Sequence, residues 1–141
     1  MTIISETDRD HAPPRSMQLG FYAISVVFNL CLIAQLLTVG VAYFADPAWW
    51  HIHVWLVRGY SGLSLLLLGW LFITPFSPQI QRLTASLVVL LGLQFCSIYL
   101  NPLHLDILHP LIGFTLLYIS SSLVHHVWRS LSPTHQQIEQ V

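Results

Sequence analysis

Along the chain, long apolar stretches are separated by short polar or proline-bearing breaks, in place of the regular apolar–polar alternation of a half-buried strand or surface helix. The first apolar run covers about residues 17–44 and ends at Asp46-Pro47. A second occupies 49–74 and stops at Pro75, and the segment FSPQIQR leads to a third over 83–100. Asn101-Pro102 ends that one, and a fourth covers 105–128. Crossing a hydrocarbon core takes about 20 residues, so the pattern predicts four membrane-spanning helices. Short connections place sequential helices antiparallel. The expected fold is all-α, an integral membrane four-helix bundle in a lipid bilayer, flanked by polar tails at 1–16 and 129–141. The first run is about twice as long as the apolar region of a signal peptide, so it is expected to remain as an anchor.

Composition supports this reading and removes other classes. The chain is 55% hydrophobic and 8% charged, outside the range of soluble domains. Its five cations are all arginine, too few and too scattered for a nucleic-acid surface, so no nucleic-acid partner is expected. Arg9, Arg15, Arg82 and Arg129 fall on the side that carries both termini, against Asp46 and Asp106 in the opposite loops. By the positive-inside rule both termini are cytoplasmic, in a bacterial inner membrane, or stromal in a thylakoid. CxxC, HExxH, GxGxxG and phosphate-loop motifs do not occur. Cys31 and Cys96 are placed at different depths, which argues against a disulfide.

Candidate chemistry gathers at the outer end. The second run opens as WWHIHVWLVRGYSGLSLLLLG, in which His51, Arg58, Gly62 and Gly69 lie within about 20° of one line at helical spacing. A lipid-facing charge is costly, so this face is expected to turn inward toward a partner or an anionic group. His53, His104 and His109 are expected at the same end. Shifting the chain by 51 residues lays HVWLVRGYSGLSLL on HLDILHPLIGFTLL, pairing His53 with His104, Arg58 with His109 and Gly62 with Gly113. Gln35 and Gln94 extend the impression of a two-plus-two repeat, at an offset of 59. Two imidazoles offered from opposite helices suit a six-coordinate haem iron, with Gly62 and Gly113 leaving room for the ring and Arg58 suited to a propionate. Each histidine also has a plainer role. His51 and His53 adjoin Trp49, Trp50 and Trp55 in an interfacial belt, His104 reads as a loop residue, and His109-Pro110 as a helix start.

Gln35 with Gly40, Gly62, LGLQF ending at Phe95, and His109-Pro110 followed by Gly113 resemble a family of small bacterial four-span membrane proteins of uncharacterised function. More distantly they resemble half of haem A synthase or the cytochrome b561-type bundles. The resemblance covers about residues 35–124 and implies a helical bundle that binds haem. The family carries a histidine four residues before the second-span glycine, where this chain has Arg58.

Two main readings follow. In the first, one b-type haem near the non-cytoplasmic surface is held by His109 and either His53 or His51, for electron transfer or haem handling. In the second, the protein is a cofactor-free accessory or assembly subunit of a larger membrane redox complex. A quinone or lipid headgroup at Arg58 and Trp55 is a third. None of them requires a catalytic group on this chain.

Overall fold

The computed structural model describes residues 14–99 and 105–132. The tails expected at the two ends lie largely outside these residues, as does His104. Four helices are present: α1 (Arg15–Phe44), α2 (Trp49–Ile73), α3 (Pro78–Tyr99) and α4 (His109–Leu131), the last entered through a 3-10 turn at Leu105–Leu108. Each is long and apolar enough to span a bilayer, and the chain is an integral membrane protein. Sequential helices pack as neighbours, and α1 closes the ring against α4 along a seam more extensive than that between α2 and α3. Arg15 and Leu131 therefore lie at one end, and the α1–α2 loop lies at the other, termed here the far end.

Three helix starts differ from the sequence expectation, that of α1 only by two residues, at Arg15 instead of 17. α3 begins at Pro78, five residues ahead of the expected 83 and inside the segment read as a connection. Proline fits a first helical turn because the amide hydrogen it lacks would have no intrahelical acceptor there. α4 begins at His109 instead of 105, with Pro110 in its first turn, and extends three residues past 128 to Leu131.

Buried positions reveal an internal two-fold. Moving α1 by 59 residues superposes Phe21 on Ile80, Ser25 on Thr84, Phe28 on Leu87 and Leu32 on Leu91, all of them buried. Moving α2 by 56 residues superposes Tyr60 on Leu116, Ser64 on Ser120 and Leu67 on Leu123, again all buried. Even the hydroxyl chemistry repeats: Ser25 donates to the Phe21 carbonyl at 2.8 Å and Thr84 to the Ile80 carbonyl at 2.9 Å. The repeat is thus α1–α2 against α3–α4, and its register corrects the shift of 51. That shift rested on matched residue types such as His53 with His104 and Gly62 with Gly113, whereas burial follows the 3.6-residue period of each helix. In the structural register His53 pairs with His109, and neither Arg58 with His109 nor Gly62 with Gly113 is an equivalent pair.

Candidate functional site: two mirrored histidine clusters

At the far end each half of the bundle builds the same small polar cluster. In the first half, Gln35 and Thr38 stand one turn apart on α1, both buried, and His53 enters from α2. The Gln35 side-chain Nε2 is 2.9 Å from His53 Nε2 and also donates to the His53 main-chain oxygen at 3.1 Å. Thr38 donates its hydroxyl hydrogen to the Gln35 carbonyl at 2.8 Å, and its oxygen lies 3.4 Å from His53 Nδ1. In the second half, Gln94 Nε2 is 2.9 Å from His109 Nε2, Ser97 donates to the Gln94 carbonyl at 2.8 Å, and the Ser97 oxygen is 3.0 Å from His109 Nδ1. Gln35 and Thr38 map onto Gln94 and Ser97 at the α1/α3 offset of 59, and His53 onto His109 at the α2/α4 offset of 56.

These contacts fix the direction of every hydrogen bond. A carbonyl only accepts, so the Gln35 atom that reaches the His53 carbonyl is the amide nitrogen, and His53 Nε2 accepts from the same group. The ring hydrogen of neutral His53 is then on Nδ1, where the Thr38 oxygen, its own hydrogen already committed, accepts it. In the second half the Ser97 hydroxyl hydrogen is likewise committed to the Gln94 carbonyl, so its oxygen accepts the His109 ring hydrogen on Nδ1, which leaves the lone pair on Nε2. Each cluster is a closed loop of three bonds with one flaw: the side-chain oxygens of Gln35 and Gln94 are buried and have no hydrogen-bond partner. A buried acceptor in that state costs about 1–3 kcal/mol.

The two imidazoles are half-buried, one carried by α2 and the other by α4. His53 lies one turn inside α2, while His109 is the first residue of α4. Opposite the Gln94 amide stands Gly113, whose added Cβ would come within 3.6 Å of Nε2, an ordinary contact.

The remaining candidates lie elsewhere. His51 is exposed and accepts the Trp55 indole hydrogen at 2.7 Å. Arg58 is exposed with its guanidinium 5.8 Å from the centre of the Trp55 ring. Gly62 and Gly69 are exposed, and a Cβ on either would meet nothing within 4 Å. The His51–Arg58–Gly62–Gly69 face therefore looks away from the bundle, contrary to the expectation of an inward face. His53, about 160° around α2 from that line, points where Tyr60, Ser64 and Leu67 point. At the other end of the molecule His126 is 2.9 Å from Gln79 Nε2, and His125 is exposed.

Sequence reasoning did not assign Thr38 and Ser97 to the histidines, nor match each glutamine to its ring. The signal was a Gln-x-x-Thr and a Gln-x-x-Ser separated by 59 residues, each followed by a histidine 18 or 15 residues beyond its glutamine. Among the described residues no three His, Cys, Asp or Glu side chains gather as a metal site would require.

Residues 35–99 match a family of unknown function (DUF6220). The matched stretch contains Gln35, Thr38, His53, Gln94 and Ser97, and ends before His109. Neither the curated proteins nor the solved structures contain a match to the chain, and nothing in these comparisons supports a likeness to haem A synthase or cytochrome b561.

Proposed function

We propose that this bundle holds one b-type haem at its far end, with His53 and His109 as the two axial ligands, and serves electron transfer or haem handling. The observation that carries the reading is the pair of mirrored clusters, which presents two neutral imidazoles from opposite helices, each with its Nε2 lone pair directed by a hydrogen bond at Nδ1. Histidines that bind metals characteristically donate the other ring N–H to an oxygen, the arrangement that Thr38 and Ser97 provide. His51 and Arg58 are exposed on the outward face of α2, so this reading gives neither a role at the haem. Haem would contribute a one-electron couple; the chain contributes ligands, a water-poor setting and proximity to one membrane surface. With the termini cytoplasmic, that surface is the non-cytoplasmic one.

The test is an absorption spectrum of protein expressed with ample haem, recorded before and after dithionite. A low-spin b-type spectrum is expected in the wild type, lost or converted to high spin in His53→Ala and in His109→Ala, and retained in His51→Ala and His125→Ala. Colourless wild-type protein, from a host that fills other b-type bundles, would refute the proposal.

A second reading, an accessory or assembly subunit of a larger membrane complex, draws on a different observation. The exposed face of α2 carries Arg58 among Gly62 and Gly69, a surface on which another membrane helix can approach closely. Retained association of a partner subunit in the wild type, lost on Gly62→Leu, would support it. The two readings are compatible, since the clusters and this face lie on opposite sides of α2.

A further inference from the structure

The mirrored clusters contain more than a haem site needs. Axial ligation by His53 and His109 requires their Nε2 lone pairs, and both lone pairs are taken by glutamine amides at 2.9 Å. A side chain that served only to orient a ligand would bond at Nδ1, as Thr38 and Ser97 do, and leave Nε2 clear. Gln35 and Gln94 instead occupy the coordinating atom itself. They do so imperfectly, because in this arrangement each leaves its own carbonyl oxygen buried without a donor. Gln35 is 8% exposed, so bulk water does not readily repair that defect.

We infer that Gln35 and Gln94 are latches that compete with the haem iron for the two Nε2 lone pairs, while Thr38 and Ser97 are positioning residues that keep those lone pairs in the coordinating tautomer. This inference rests on the haem reading and assigns new roles within it. In the latched state both imidazoles are held at each ring nitrogen by the bundle's own side chains. A haem iron, when bound, would be held at each Nε2 in place of the amide, with the hydroxyls of Thr38 and Ser97 still holding the rings at Nδ1. The halves differ in strength. Gln35 has a second anchor on the His53 carbonyl, which Gln94 lacks at His109, so the His109 latch is the easier one to open.

Two opposite effects follow, and they separate a latch from a structural hydrogen bond. Removing an amide donor frees Nε2, so Gln35→Leu and Gln94→Leu should each tighten haemin binding, by about fivefold, the worth of one neutral hydrogen bond. The double variant should gain approximately the product. Thr38→Val and Ser97→Ala should weaken binding by a similar factor, because the ring hydrogen is no longer held at Nδ1.

The experiment is a titration of haem-free, full-length protein in detergent with haemin, followed at the Soret band. It is paired with nitrogen-15 NMR of the histidine rings of the haem-free wild type. The rings of His53 and His109 should report the Nδ1–H tautomer, a measurement that does not depend on any variant folding. Glutamine variants that bind haemin with unchanged or lower affinity would overturn the latch while leaving the haem reading in place, as would Nε2–H tautomers in the haem-free protein. Wild-type protein that takes up no haemin would overturn both.

Discussion

At position 20 the two halves of the molecule differ, with glycine in the first where the second has Gln79. A Cβ there would stand 2.9 Å from the Trp70 ring, which is wedged edge-on against Phe21 at a centroid distance of 6.4 Å. In the second half the equivalent positions are Gln79 and His126, which hydrogen-bond at 2.9 Å. The same site is thus filled by a glycine and an indole in one half and by a polar pair in the other. Gly20→Val must displace the Trp70 indole, and overfilling of this kind costs about 1–3 kcal/mol. Reversible unfolding in mixed micelles should register that loss, whereas Gly40→Ala, where an added Cβ meets nothing within 4 Å, should be close to neutral.

At the level of helices, the sequence was legible where lipid dictates the pattern and less so where one helix reads another. Four spans, the break at Asp46-Pro47 and the start of α2 at Trp49 follow from length and polarity, because bilayer thickness leaves few alternatives. The start of α3 did not follow: Gln79, Gln81 and Arg82 look like a connection, yet they form the first turns of a helix beginning at Pro78. The polar residues of α1 behave as membrane amides commonly do. Asn29 reaches Ser121 across the α1–α4 seam at 3.0 Å, and Gln35 and Thr38 reach His53. What remained hidden was which face of α2 turns inward. Charge argued for Arg58, but an arginine near a helix end can reach the interface along its own stem, so burial went to the stripe of His53, Tyr60 and Ser64. Because interhelical bonds inside membranes average about 0.6 kcal/mol, Asn29→Leu should lower stability by less than about 1 kcal/mol. A loss several times larger in the same unfolding assay would mean that Asn29 does more than bridge two helices.

For the molecule as a whole, orientation is the property on which the location of the site depends. Arg15, Arg82 and Arg129 are all at the end bearing the termini, so a reporter active only outside the cytoplasm should be silent when fused at Val141 and active when inserted at the α1–α2 loop. The reverse pattern would move the histidine clusters to the cytoplasmic face. The way the ring of helices closes has one more consequence. Its broadest non-sequential seam, α1 against α4, has no connecting loop, whereas the thinner seam between α2 and α3 is spanned by the short link from Thr74 to Ser77. The two hairpins, α1–α2 and α3–α4, make the most extensive seams, and the halves share most of their buried pattern. A circular permutant opened in the 74–77 link, with residue 132 leading back to residue 14 through the intervening sequence, would read α3–α4–α1–α2 and keep every seam. It should insert, reach the helicity of the natural chain and retain both histidine clusters. A permutant that aggregates while the natural order folds would mean that the first hairpin must be made before the second can dock.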